Sequence, residues 1–304
     1  MSSALLSFLA SLLVSLPTPS SLQERALVQT YALLPPEINL SSFQHNQQQA
    51  PRRVRQTRGP LLTAQAALVV DEKSGQILWA QQPTVPRPLA SLTKLATALT
   101  WRQGREEGKI KWIKVTPRAV RAAGASAHLR AGASYRADDL LAAMLVASAN
   151  DAAEALARAY PGGKEKMLAQ MSKLARSLHL RLTNFTSVTG LDDERNFGTA
   201  ADMAVLFRAA LLDQKLARFL QAEKWRFAAR GGRSHIVRST NKLLSHPLVT
   251  HGKTGYTQEA GENLVVRAEH DGHAVIAVVM GSKQRFADMQ ALLAWVFWAY
   301  RWGE

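Results

Sequence analysis

The sequence predicts a mixed α/β protein of the α+β type, with helices packed on an antiparallel sheet built from both ends of the chain. Three observations lead there. Apolar runs of strand length lie near residues 66–80 and again over 250–281, the stretch between them carries helical periodicity, and one apolar helix closes the chain. Strands and helices do not alternate regularly, as a doubly wound parallel sheet requires.

The elements follow in order. Residues 4–16 form a short apolar run ending at Pro17, too short to span a bilayer and of the length of a secretory h-region, although no Lys or Arg precedes it. Residues 1–21 therefore read as a signal peptide, the alternative being a frayed amphipathic start. Residues 22–60 carry Pro35-Pro36, Gln47-Gln48-Gln49 and the cluster Arg52, Arg53, Arg55, Arg58, with little apolar periodicity. They read as a basic disordered tail, either a solvated linker or an electrostatic tether to a polyanion. The folded domain is expected over 61–304.

Within it, Ala66-Ala67-Leu68-Val69-Val70 and Gln76-Ile77-Leu78-Trp79-Ala80 flank Asp71-Glu72-Lys73-Ser74-Gly75 as a hairpin. A helix opens at Ser91, with apolar residues at 92, 95, 96 and 99. Further helices are expected at 138–147 and 151–159, interrupted by Ser148-Ala149-Asn150, and another up to about Leu178 after Pro161-Gly162-Gly163. Thr199 with Asp202 caps the helix containing Met203, Val205, Leu206 and Phe207. Strands are expected at 224–229, 234–238, 250–256, 262–269 and 273–281, the last two joined through Asp271-Gly272, before a helix over 286–300.

Composition excludes several chemistries. The chain has 304 residues and no Cys, which removes disulfides, thiolate metal sites and a cysteine nucleophile. A net charge of +15 predicts attraction to polyanions, whether nucleic acid, acidic lipid or an acidic wall polymer. His246 with His251 and His270 with His273 lack the further ligands a metal site needs and read as solvated loop residues. Trp295, Phe297, Trp298 and Trp302 could form a membrane-interface belt, but a terminal helix packing on a sheet predicts the same aromatics.

Three motifs could carry chemistry: Ser91-x-x-Lys94, Ser148-x-Asn150 and Lys253-Thr254-Gly255. A serine and a lysine at i and i+3 share one helix face, so a neutral amine could take the hydroxyl proton. Burial and a second ammonium, such as Lys253, would both lower the Lys94 pKa. Ser148 and Asn150 place polar groups at a corner between helices. Gly255 would let a ligand backbone approach the strand edge, while Lys253 and Thr254 offer donors for a carboxylate.

Taken together and in this order, the motifs resemble those of the penicillin-recognising serine enzymes. Pro88 to Leu95, Leu140 to Ala153, Thr189-Gly190-Leu191 and Gly252 to Gly261 resemble the D-alanyl-D-alanine carboxypeptidase and endopeptidase family, the low-molecular-weight penicillin-binding proteins, over residues 61 to about 300. The resemblance implies a penicillin-binding protein/β-lactamase-like fold and a serine acyl-transfer mechanism. In it Ser91 attacks a D-alanine carbonyl, Lys94 is the general base and Ser148 passes the proton to the leaving amine. Asn150 holds the substrate backbone, Lys253 supports the hydroxyl network, Thr254 binds a carboxylate, and the N–H groups of Ser91 and Tyr256 form the oxyanion hole.

The endopeptidase branch is favoured by two weaker similarities, His128-Leu129-Arg130-Ala131-Gly132 and Tyr160-Pro161-Gly162-Gly163, and by a chain that stops after one C-terminal helix. The resemblance implies a periplasmic enzyme acting on peptidoglycan peptides, with β-lactams as covalent inhibitors and no metal or cofactor. No nucleic-acid partner and no stable membrane anchor are expected, and other cell-wall enzymes are candidate partners. A β-lactamase would need a water-activating residue, and Asp192-Asp193-Glu194 does not resemble its loop. The alternative from another class is a non-catalytic cationic envelope-binding protein, whose mark would be loss of a motif residue.

Overall fold

The structure is a computed structural model. It describes residues 40, 43, 50–104, 110–191, 193–232 and 234–303; the expected signal peptide and most of the expected tail before residue 50 lie outside them. The described chain runs through β1 (Arg52–Arg53), β2 (Ala66–Asp71), β3 (Ile77–Gln81), β4 (Arg87–Pro88), a 3-10 turn (Ala90–Leu92) and α1 (Thr93–Gly104). Then come β5 (Trp112–Lys114), α2 (Pro117–Val120), β6 (Ser134–Arg136), α3 (Ala137–Val146), α4 (Asn150–Ala159) and α5 (Gly163–Ser177). After β7 (Phe197–Gly198), α6 (Ala200–Leu212) and α7 (Gln214–Leu220), the strands return as β8 (Lys224–Ala228), β9 (Ser234–Arg238), β10 (Val249–Thr257), β11 (Gly261–His270) and β12 (His273–Ser282). The last elements are α8 (Arg285–Ala299) and β13 (Tyr300–Arg301).

Five strands form one antiparallel sheet in the order β10-β11-β12-β2-β3. Early and late segments of the described domain therefore meet at the β12–β2 pair, where Val279 lies opposite Ala67 and Ala277 opposite Val69. Alternation along β2 splits its side chains between two cores. Leu68 and Val70 join Ile276, Val278, Leu95 and Leu206 on the side of the helical block. Ala67 and Val69 join Val275, Ala277, Val279, Leu292 and Val296 under α8. With both faces covered, every residue of β2 is buried, and the strand reads as an apolar run from Ala66 to Val70 closed by the buried Asp71. Truncating Leu68 to Ala would cost about 2–5 kcal/mol.

Local chemistry sets the helix ends. Thr199 Oγ1 accepts from Asp202 N at 3.0 Å, as the sequence predicts. Asp213 accepts from the backbone N–H groups of Lys215 and Leu216, which starts α7 as a separate helix. The carboxylate of Asp288 in α8 accepts from Thr63 N, Ala64 N, Thr63 Oγ1 and Ser282 Oγ, pinning the entry to β2.

The arginine segment departs from the expected tail. From residue 50 it is laid against the domain: β1 pairs with β13, and Val54 N and Arg55 N both donate to Ala299 O. The physical reason is cation–π attraction, with the Arg53 guanidinium 5.2 Å from the Trp295 ring and that of Arg55 4.6 Å from Trp298. Trp295, Phe297 and Trp302 pack against the core under α8, whereas Trp298 stays 43% exposed beneath Arg55. Among the described residues no helix is long and apolar enough to cross a membrane, and no group of three or more His, Cys, Asp or Glu could hold a metal. His251 lies half-buried in β10 rather than in a loop, with Nδ1 2.9 Å from Thr250 Oγ1.

Candidate active site

Ser91 sits in the 3-10 turn that leads into α1, and Lys94 is one turn further on. The turn is held from behind. Asn263 Nδ2 donates to Pro88 O and Leu89 O while its Oδ1 accepts from Gly281 N, tying the serine segment to β11 and β12. Gly190 also backs it: its φ is +81°, and a Cβ there would lie 1.8 Å from Ala90 O.

Lys94 is fully buried, with Nζ 2.7 Å from Ser91 Oγ and donating to Thr189 O at 2.6 Å. Burial, reinforced by the nearby Lys253 ammonium, holds its pKa well below the ordinary lysine value. A neutral amine that donates to Thr189 O keeps its lone pair for the Ser91 hydroxyl proton.

Ser148 occupies the corner between α3 and α4 with a left-handed backbone, φ +60°. Lys253 in β10 reaches it: Nζ lies 2.9 Å from Ser148 Oγ and donates to Thr254 O at 2.8 Å. Burial first, then the Arg285 charge, pulls the Lys253 pKa down to about 7. Asn150, the first residue of α4, donates from Nδ2 to Ala123 O, and its buried Oδ1 has no partner among the described residues. Next to it, Asp151 accepts from Ser126 Oγ, Ala127 N and Leu129 N, fixing the loop that runs into His128-Leu129-Arg130 against α4.

The other wall is β10, the outer strand of the sheet. At Gly255 a Cβ would meet Ser91 N at 3.2 Å and Leu89 O at 3.1 Å, so the absence of a side chain lets the strand run beside the serine. Tyr256 follows, 62% exposed. Thr254 Oγ1 lies 2.5 Å from Thr240 Oγ1, and Thr240 N donates to Val146 O at the end of α3. Arg285 Nη1 donates to Gly255 O at 2.9 Å, and its backbone N to Glu262.

The structure thus brings Ser91, Lys94, Ser148, Asn150, Lys253, Thr254, Gly255 and Tyr256 to one place. It adds Thr189, Thr240, Asn263 and Arg285, which the motifs alone do not assign a role. Of these, only Thr189 lies in a stretch the sequence marks, Thr189-Gly190-Leu191, and it does so by its resemblance to the family. A separate cleft of about 610 Å³, lined by Glu72, Arg208, His251, Arg267 and Trp302 among others, contains none of these groups. There Arg267 is already paired with Glu72 and Glu269.

Chemically, the arrangement is a hydroxyl beside an amine of lowered pKa, a second hydroxyl beside a second such amine, and an open strand edge. Comparison with known proteins agrees. A family model described as D-alanyl-D-alanine carboxypeptidase matches residues 53–284. The D-alanyl-D-alanine endopeptidase of Pseudomonas aeruginosa is 31% identical over 245 residues, covering 77% of this chain and 77% of that protein. The D-alanyl-D-alanine carboxypeptidase DacF of Bacillus subtilis is 29% identical over 244 residues, which span 78% of this chain but only 63% of that protein. The crystal structure of a D-alanyl-D-alanine carboxypeptidase from Mycobacterium tuberculosis superposes with a TM-score of 0.74 at 28% identity, covering 81% of this chain and 95% of that one. With its three motifs converging on one site and the family match running from β1 to the start of α8, the chain belongs to the D-alanyl-D-alanine carboxypeptidase family.

Proposed function

We propose that the protein is a peptidoglycan D,D-endopeptidase that hydrolyses D-alanyl-diaminopimelate cross-links through an acyl-enzyme on Ser91. The observation that carries this reading is the buried Lys94 amine, 2.7 Å from Ser91 Oγ and depressed in pKa by burial and by Lys253. Neutral Lys94 takes the Ser91 proton as Oγ attacks the D-alanine carbonyl. Charge on the carbonyl oxygen falls between the N–H groups of Ser91 and Tyr256. Ser148, beside Lys253, relays a proton to the leaving amine, the C–N bond breaks, and water then hydrolyses the ester, returning the proton to Ser91. Asn150 Oδ1 accepts from the substrate backbone, Gly255 leaves room for that backbone against β10, and Thr254 holds the carboxylate on the leaving side.

The endopeptidase preference rests on the stretches at 128–132 and 160–163. Carboxypeptidase activity on a terminal D-alanyl-D-alanine uses the same groups, because both substrates present a free carboxylate next to the scissile amide. The reading includes export to the periplasm with residues 1–21 as the signal, a catalytic domain over 61–304, and covalent inhibition by β-lactams. Its test is the intact mass after incubation with a penicillin, beside Ser91→Ala. An adduct on the wild type alone supports the nucleophile, and folded wild-type protein without an adduct overturns it. Digests of cross-linked muropeptides against pentapeptides then separate endopeptidase from carboxypeptidase.

A further inference from the structure

We propose that the outer face of the β8–β9 hairpin, with β5 beside it, is a cationic track that receives the leaving-side peptide of the substrate, an acidic chain longer than a single D-alanine. The inference rests on the acyl-enzyme reading above and adds to it a preference for cross-linked over terminal amides. Continuity with the site carries it. Thr254, which holds the leaving-side carboxylate in that reading, has its Oγ1 2.5 Å from Thr240 Oγ1, and Thr240 lies two residues beyond the end of β9. Ser239 N donates to Glu223 O at 2.7 Å, so the hairpin is paired up to the mouth of the site. With five residues in each strand it is about 16 Å long, enough to accompany several residues of an extended peptide.

The track is positive throughout. Residues 224–258 contain no Asp or Glu, and neither do residues 110–137. The register sets Lys224 opposite Arg238 and Arg226 opposite Ile236, and all four are exposed. The alternate positions turn inward, with Trp225 Nε1 donating to Asp139 and Phe227 buried. Lys224 and Arg238 repel across the strand pair. Past the turn, Arg230 N donates to Ser134 O at 2.8 Å, and the Arg230 guanidinium lies 5.7 Å from the exposed Trp112 ring. Lys114 lies two positions along β5 on the face of Trp112. Among the described residues none of Lys114, Lys224, Arg226, Arg230 and Arg238 forms a salt bridge.

The leaving group decides what fits. A terminal D-alanine carries one carboxylate, which Thr254 holds, and extends no further. Diaminopimelate is a dicarboxylate, so the leaving side of a cross-link is a peptide with negative charge beyond the carboxylate next to the scissile amide. Past Thr240 that charge meets Arg238 and Lys224. Exposed ion pairs of this kind give about threefold in affinity each and are screened by salt. The track therefore lowers KM for cross-links and leaves the acylation chemistry untouched.

The experiment compares a purified cross-linked muropeptide dimer with a pentapeptide ending in D-alanyl-D-alanine, using the full chain. Lys224→Gln with Arg238→Gln should raise KM for the dimer about tenfold at unchanged kcat, while pentapeptide turnover and the rate of penicillin acylation stay as in the wild type. Raising salt from about 50 to 500 mM should weaken dimer cleavage by the wild type and spare the pentapeptide. Because the two cations repel, the double variant should unfold no earlier than the wild type; should its midpoint fall, Arg226→Gln alone carries the test at about threefold. A double variant that cleaves the dimer like the wild type, or loses both substrates equally, overturns the proposal. So does tight binding of polyphosphate that leaves dimer cleavage uninhibited. If the wild type forms a penicillin adduct but does not cut the dimer, the endopeptidase reading fails separately. The track is then decided by the free leaving peptide, which should slow penicillin acylation of the wild type more than of the double variant; equal slowing overturns it. Folded wild type without an adduct overturns the acyl-enzyme reading and this proposal with it.

Discussion

Replacing Lys253 by Met should make the protein more stable at neutral pH while removing its chemistry. Lys253 is buried, and its pKa is about 7, lowered first by burial and then by the Arg285 charge. In the unfolded chain a lysine titrates near ~10.4, so holding this one at its folded value costs about 4 kcal/mol at pH 7. Met fills a similar volume without that cost, but the substitution leaves Thr254 O and Ser148 Oγ without the amine. Losing those two hydrogen bonds returns about 2 kcal/mol. The net expectation is a gain of about 2 kcal/mol, or about 5 °C in midpoint for a domain of this size.

The pH dependence is the sharper observable. Between pH 7 and 10 the unfolded chain binds a proton at this lysine that the folded chain has released, so wild-type stability rises with pH. Below pH 7 both states are protonated and the cost stays constant. The gap between variant and wild type should therefore shrink by about 2 kcal/mol from pH 7 to 9 and be flat from pH 5 to 6.5. Urea unfolding of both proteins across that range measures it. A variant less stable than the wild type at pH 7, with a gap independent of pH, would refute the reasoning and make Lys253 a stably charged, well-solvated group.

Three further perturbations address two other parts of the site and one part of the fold. Gly190→Ala places a Cβ 1.8 Å from Ala90 O in a left-handed backbone, so it should cost about 3 kcal/mol and also slow penicillin acylation; a folded variant with wild-type acylation would detach Gly190 from the Ser91 turn. Thr240→Val removes the hydroxyl 2.5 Å from Thr254 Oγ1, and should raise KM about tenfold for substrates with a free carboxylate with little change in kcat, while Thr240→Ser restores it. Equal losses in kcat and KM on carboxylate-free analogues would count against it. Asp288→Asn turns one of two acceptor oxygens into a donor facing Thr63, Ala64 and Ser282, and should lower the unfolding midpoint by about 5–10 °C, read by calorimetry.

What the sequence makes legible follows from the range of each interaction. The hairpin at 66–81, the pair at 261–282 and the helices flanking 148 are written in local periodicity, and a strand buried on both faces shows as an apolar run. Ser91 and Lys94 are legible for the same reason, since one helical turn brings i and i+3 together. Thr240, Asn263 and Arg285 are not, because their contacts with Thr254, Leu89 and Gly255 join elements that no local pattern links. The arginines at 52–58 fail in the opposite way: with no apolar periodicity they look unstructured, and the indoles that order them lie some 240 positions away, Arg53 on Trp295 and Arg55 on Trp298.

The remaining gap is backbone strain. Ala90 and Ser148 hold left-handed φ values of +46° and +60°, which residue type gives no reason to expect and which cost about 1–3 kcal/mol each. Ala90 immediately precedes the serine in the 3-10 turn, under Gly190 and Gly255, and Ser148 is held by Lys253. Packing from β10 and from the 187–190 loop is therefore what keeps two unfavourable residues in place. The same contacts aim the Ser91 and Ser148 hydroxyls at their lysines. Loosening either should relax the backbone before it unfolds the domain, so activity should be lost at a lower denaturant concentration than the sheet.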